Sequence, residues 1–318
     1  MYGGMVRWRV VVVVSFSAAC FFPDLSNLTG DGGSSDGGSN DGGGDAQPSE
    51  GGVDAGKPCD PTKPFSPPRA LDVANGNPQY HPTLTADELE MWWGENVPVG
   101  DAGFAAHIMH AKRASITSLF GPASIESGID NGGPVDPNLS DDGLELVFVN
   151  GGSIGGFDLF RSVRAKLGDP FGVGVQLPAN VLSTGDEISP FQTTDGSLYF
   201  PSNRAGWGVY FAQLVGNNTW SAPVLVPELS STDGEDGVAL THDGLWIYYA
   251  SRRTDFGTAG GVDVFLGHRA TTSDPFGSFT NVSEINTGND DRVKFVSRDD
   301  CRVYYESGNK LWVAEKTP

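Results

Sequence analysis

The chain has 318 residues, a formal net charge of −20, 44 glycines and only 3 cysteines. That length suffices for one large β domain or two ordinary ones. The acid excess argues against a nucleic-acid partner, because phosphate binding needs clustered Lys and Arg, and it otherwise serves solubility.

The N-terminus is laid out as an export signal over residues 1–20. Arg7 and Arg9 precede a short apolar run, VVVVVSF at 10–16, and small residues then lead to Cys20. The run is too short to span a bilayer alone. Small residues before a cysteine resemble the bacterial lipoprotein signal, which makes Cys20 the lipidation site. Ser17 departs from the usual Leu or Val, so plain cleavage after an Ala-x-Ala-like site is the competing outcome. Either route predicts an exported protein, and the lipid route places it on the outer membrane, facing the periplasm or the cell surface. Residues 21–60 form a Gly-, Ser- and Asp-rich linker with almost no apolar content over 29–58. Such a segment cannot repay its ordering entropy and reads as a flexible tether. About forty such residues reach about 35 Å. Its Asp-Gly pairs lack the fixed spacing and terminal Glu of a calcium loop.

From residue 61 to 318 the chain is periodic. The marker is a turn aspartate entering an aromatic or β-branched run: ADELEMWW at 86–93, DDGLELVF at 141–148, TDGSLYF at 194–200, HDGLWIYY at 242–249 and DDCRVYY at 299–305. The turn aspartates read as Asp87, Asp142, Asp195, Asp243 and Asp300, about 48 to 57 residues apart. Asp-Gly between apolar stretches is a strong hairpin signal. A short strand precedes each turn. A third strand follows the aromatic one, then a phrase such as RAKLGDPFG at 164–172 or RATTSDPFG at 269–277, then a fourth strand. Four antiparallel strands repeating every fifty residues or so predict propeller blades.

Within these repeats, DPNLSDDGLELVFVNGGSIGGFDLF and GVALTHDGLWIYYASRRTDFGTAGGVDVF resemble the TolB-type (WD40-like) β-propeller repeat. The third unit matches apart from Gly208, and His107 and Lys310 depart at the same place in the first and last units. The resemblance implies an all-β, five-bladed propeller with roles at the cell envelope. The separate N-terminal domain of TolB has no counterpart among these repeats, which puts the Tol-system role in doubt.

Five copies of strands one to three are present, but the fifth ends at EKTP where the next phrase should begin. The missing fourth strand is TKPFSPPRALDV at 62–73, so the N-terminal segment is expected to join blade five and close the ring, removing exposed edges. An open ring, or a sixth degenerate blade, is the competing arrangement. With Cys20 lipidated, Cys59 and Cys301 remain, one at each side of that seam, and an exported chain permits a disulfide between them.

Signals for chemistry are few. GGSIG at 151–155 matches a nucleophile elbow formally, but a strand follows Ser153 where the elbow needs a helix. His107 and His110 fall on opposite faces of a strand, and no zinc motif is present. The second-strand aromatics, among them Trp92, Trp93, Tyr248, Tyr249, Phe148, Phe200, Trp246 and Tyr304, read as core. Acids stand just before the innermost strands: Asp136, Asp186, Glu187, Glu235, Asp236, Asp290 and Asp291. Ring symmetry would gather them at one rim of the channel, where they could meet a calcium ion or a basic partner patch; ordinary solvated loop acids are the plainer reading. No other cofactor is expected. Two functions compete. One is a monomeric module binding an envelope protein or a wall polysaccharide. The other is a glycoside hydrolase-like enzyme using the rim carboxylates, against which stands their recurrence as repeat features.

Overall fold

The computed structural model describes residues 58–316, apart from 74, 100–102 and 217. The export signal, the Cys20 lipidation site and nearly all of the linker lie outside the described residues. Strand β1 (Arg69–Ala70) comes first in the chain and is used last in the fold. Blade one then runs β2 (Gln79–Leu84), β3 (Glu90–Pro98), β4 (Phe104–Lys112) and β5 (Ser124–Ile125). Blade two is β6 (Val135–Leu139), β7 (Glu145–Gly151), β8 (Phe157–Val163) and β9 (Val175–Gln176). Blade three is β10 (Phe191–Gln192), β11 (Leu198–Ser202), β12 (Gly208–Ala212) and β15 (Val224–Leu225), and it carries an extra hairpin, β13 (Leu214–Gly216) with β14 (Thr219–Trp220). The sequence pattern reads VYFAQLV at 209–215 as one continuous third strand, which the structure breaks at Gln213 between β12 and β13. Blade four is β16 (Glu235–Leu240), β17 (Trp246–Ser251), β18 (Asp263–His268) and β19 (Gly277–Asn281). Blade five is β20 (Asp291–Val296), β21 (Arg302–Ser307) and β22 (Lys310–Glu315), completed by β1.

The protein is therefore an all-β, five-bladed propeller. Arg69 pairs with Val313 and Ala70 with Trp312, and a further bridge joins Phe65 to Lys316. Cys59 is bonded to Cys301, with Cα atoms 5.0 Å apart, and the Cys59 amide donates to the Asp299 carbonyl at 2.8 Å. Closure thus joins segments about 240 residues apart in sequence, as the disulfide separation of 242 shows.

One apolar cluster fills each seam between neighbouring blades. Trp92, Ile108, Phe148 and Phe171 pack between blades one and two. Phe65 and Tyr248 pack with Tyr305 between blades four and five. The second-strand aromatics supply much of this core, and Trp92, Trp93, Tyr248, Tyr249 and Tyr304 are fully buried. Each such ring contributes on the order of 2 kcal/mol by leaving water.

The turn before each second strand is held by a hydroxyl and an aspartate two residues apart. Thr85 donates to Asp87, Ser140 to Asp142, Thr193 to Asp195, Thr241 to Asp243 and Ser297 to Asp299. The fifth turn aspartate is therefore Asp299, correcting the reading of Asp300. Asp300 instead takes the left-handed place (φ 58°) filled by Gly143, Gly196 and Gly244 in blades two to four. Two adjacent aspartates hid this one-residue offset.

The recurring Arg-Ala…Phe-Gly phrase is a corner clamp. Arg113 lies 4.6 Å from the Phe120 ring, Arg164 5.0 Å from Phe171 and Arg269 4.2 Å from Phe276. Each Nε also donates to a carbonyl in the aspartate turn of its own blade, from Glu88, Gly143 and Gly244 respectively. In blade five Lys316 stands 4.3 Å over Phe65, so the displaced phrase at the N-terminus completes the same clamp. Blade three substitutes Leu214 and Trp220, and Trp220 Nε1 donates to the Gly196 carbonyl at 3.0 Å. Ser153 lies in the turn between β7 and β8, where its hydroxyl donates to Gln176.

Candidate functional site

The innermost strands β2, β6, β10, β16 and β20 line the channel, and their ladders break at equivalent places. Register shifts fall between Tyr80 and Thr83, Val135 and Asn138, Glu235 and Gly237, and Val293 and Phe295. Proline follows the irregular residue in three blades, at Pro82, Pro137 and Pro190, and cannot donate to a ladder. There the backbone turns left-handed at His81 (φ 53°), Asp136 (51°) and Ser189 (48°). Such conformations cost roughly 1–2 kcal/mol each for residues with a side chain and concentrate at functional positions. Blade four has Gly237 at φ 122° in this place, where a Cβ would collide with Lys294 Nζ.

These breaks aim polar side chains at the axis. A ring nitrogen of His81, Nδ1, meets Asp136, and its Nε2 lies 3.4 Å from Glu306. The His81 amide donates to Glu306 at 2.9 Å. The other Asp136 oxygen accepts the Ser189 amide at 3.1 Å and hydroxyl at 3.3 Å. Arg292 donates to Asp236 at 2.5 Å, Glu306 at 2.7 Å and Asp290 at 2.9 Å. Lys294 donates to the Asp236 carbonyl at 3.0 Å. All five blades thus contribute to one continuous network. Burial opposes ionisation of Asp136, yet the facing His81, with Lys294 and the Ser189 amide, holds its carboxyl down at about 2. Burial pulls Lys294 below the ordinary lysine range, against the pull of Asp236 and Asp136.

Of the seven acids read as a rim, Asp136, Asp236 and Asp290 join this network, and the other four do not. Asp186 accepts the Phe157 amide in a loop. Glu187, Glu235 and Asp291 are buried inside their own blades, opposite Ser202, Ser251 and Ser307 on the second strands. Glu187 takes the Ser183 and Ser202 hydroxyls and Arg204. Asp291 takes the Thr287 amide. Burial raises the carboxyls of Glu235 and Asp291. Their recurrence is a strand-pairing device within blades, so repeat symmetry gathers them into no common rim. Among the described residues no group of three or more His, Cys, Asp or Glu is arranged to hold a metal ion. His107 faces Asp130 and His110 stacks on Trp92, each on β4.

The aspartate-turn face carries a cavity of 720 Å³. It takes in that mouth of the channel, through Ala86, Asp141, Thr194, His242 and Arg298, and continues into the seam between blades three and four. Its seam walls include Tyr199 and Phe211, whose rings are 4.7 Å apart, with Gln213 and Arg269. The sequence signalled none of His81, Lys294, Arg292, Glu306 or this cavity as functional. The one available sign was the run of residue-proline pairs at the same place in the first three inner strands.

Solved structures share this architecture. TolB from Acinetobacter baumannii is 15% identical, with a TM-score of 0.44; 76% of this chain covers 55% of that one. A mannose phosphorylase from Leishmania mexicana is 13% identical, with a TM-score of 0.51, over 80% of this chain and 88% of its own. An α-L-arabinofuranosidase from Podospora anserina is 12% identical, with a TM-score of 0.50, over 81% and 98%. At such identities the likeness concerns the fold. No family model matches the sequence, and no curated protein does.

Proposed function

We propose that this propeller is a binding or scaffold module of the cell envelope, exported and held there by lipid on Cys20. The observation that carries the reading is the commitment of the channel carboxylates. Asp136 is engaged by His81 and Ser189, and Asp236, Asp290 and Glu306 converge on Arg292. That arrangement braces a platform and leaves its faces for contact. The disulfide at the ring closure supports an oxidising compartment. The partner is an envelope protein or a wall polysaccharide. Capture from envelope extracts with the full chain tests this: a partner retained by the chain and lost on denaturing it is expected, and no specific retention overturns the reading.

The second reading is a glycoside-active propeller, which structural relatives of that activity keep in view. Such enzymes need one carboxyl kept protonated as general acid and a second one ionised. Asp136, held at about 2, is ionised at neutral pH and suits no general-acid role. Turnover of an arabinan or xylan panel, abolished by Asp136→Ala or Asp186→Ala, would reverse the order of the two readings.

A further inference from the structure

The cavity on the aspartate-turn face is chemically distinct from the channel. At two other seams the corner arginine has a carboxylate within 4 Å. Arg164 meets Glu90 at 3.0 Å, and Arg113 donates to the Tyr304 hydroxyl at 2.8 Å and lies 3.8 Å from Glu88. At the seam of blades three and four the residue corresponding to Glu90 is Ser197, immediately before the Leu198–Ala212 pair. Arg269 there stacks on Phe276, donates Nε to the Gly244 carbonyl and bonds the Tyr199 hydroxyl, but meets no carboxylate. No carboxylate among the described residues lies within 4 Å of Arg269 or of Arg298, both of which line the cavity. Every other described arginine except Arg69 has such a partner. In a chain with 40 Asp and Glu against 20 Lys and Arg, carboxylates are not scarce.

Other lining groups are also uncommitted. Gln213 bonds only through its main chain, to Ser221, and the buried Gln192 has an Oε1 with no partner. Phe191, Phe211 and Phe295 are only half-buried and wall the same space. Five carboxylates line it too. Asp195 and Asp243 accept turn amides, Glu228 the Phe276 amide and Asp274 the Thr271 amide, and Asp141 faces His242. The lining is net acidic, so it repels a small free anion. Donors and acceptors interleaved with aromatic faces match a ligand that is uncharged, rich in hydroxyls and built on apolar ring faces. The volume falls within the range of small-molecule sites.

We infer that this cavity binds a neutral saccharide, its ring faces against the phenylalanines and its hydroxyls between Arg269, Arg298 and Gln213. The inference rests on the binding-module reading and gives it a ligand class. The test is calorimetric titration of the full chain with tetrasaccharides of glucose, mannose, arabinose and N-acetylglucosamine, with tetragalacturonate and a mixed peptide pool as alternatives. At least one neutral tetrasaccharide should bind with a Kd of about 1 mM or tighter, uncleaved, and Gln213→Ala, Arg298→Ala and Arg269→Lys should each weaken it about tenfold, the first two with Tm unchanged. Gln213 and Arg298 are exposed, so these two substitutions leave the fold intact. Binding by no neutral saccharide, binding only by galacturonate or peptide, or binding indifferent to all three substitutions overturns the inference. Cleavage of a bound saccharide would sink the binding-module reading and leave the site standing. A captured envelope protein without saccharide binding would do the reverse.

Discussion

Blade five and blade three both depart from the repeat, and they do so in opposite ways. Blade five lacks its own fourth strand but fills every vacant place. β1 supplies the strand, Phe65 supplies the ring under Lys316, and Cys59–Cys301 supplies a covalent tie. Blade three has all its strands in continuous chain, yet its clamp is rebuilt with Leu214 and Trp220, and Ser197 leaves Arg269 of the next blade without a carboxylate. Ring closure tolerates no gap, because an open seam exposes strand edges and an apolar cluster together. A seam elsewhere can lose one ion pair and become a cavity.

The largest expected effect follows from undoing blade five. A chain beginning at residue 78 loses β1, Phe65 and the disulfide, and is expected to be insoluble or to melt far below the full domain in a solubility and thermal-shift comparison. Equal melting would break the contrast. Cys301→Ser alone isolates the covalent part. The chain-entropy ceiling for so long a loop is about 5 kcal/mol, and the measured loss should fall below it.

The next effect separates an ion-paired clamp from one without a carboxylate. Arg164→Ala removes one of the two cations on Glu90, which keeps Lys112 at 2.6 Å, and should cost about 2–3 kcal/mol in urea melts. Arg269→Ala strands no carboxylate and should cost clearly less. Equal losses would show that the stacking, rather than the ion pair, dominates both.

The channel gives a smaller, pH-dependent effect. The Asp136 carboxyl titrates at about 2 in the folded chain, against about 3.9 unfolded. A depressed folded value stabilises above the unfolded pKa, and the benefit is lost as pH falls from about 4 to 2. Asp136→Asn should therefore cost about 2 kcal/mol at pH 7 and flatten the acid limb of the stability curve over that interval. An unchanged limb would mean that Asp136 is not ionised in the native channel.

The smallest effect carries the opposite sign. Burial, with Asp243 nearby, raises the Asp300 carboxyl to about 6. A raised folded value makes ionisation destabilising, so the penalty grows from about pH 4 to 6 and persists above. Asp300→Asn, which tolerates the left-handed backbone, should raise stability at pH 7 by about 1–2 kcal/mol, and the gain should vanish below about pH 4. A gain independent of pH would point to backbone strain instead.

Much of the fold was legible because local chemistry repeats. Turn aspartates, aromatic second strands and the Arg…Phe phrase each act within one blade, so the phrase missing at the C-terminus and present at TKPFS exposed the closure. The extra hairpin in blade three was not legible, since VYFAQLV reads equally as one strand. The site was harder still. Glu187, Glu235 and Asp291 looked like rim residues because they recur, but they recur to pair with second-strand serines. His81, Lys294 and Glu306 share no motif.

The sequence by itself determined five units of four strands, their order and the segment that closes the ring. These follow from hydrophobic period, turn chemistry and counting, which are properties of near neighbours in the chain. Only the tertiary structure decided which acids meet. Whether a side chain points to the axis or into its blade depends on a one-residue break in the ladder, and a one-residue slip reverses its direction. The cavity likewise arises between two blades, from a serine in one and an arginine in the next, seventy-two residues apart in the chain.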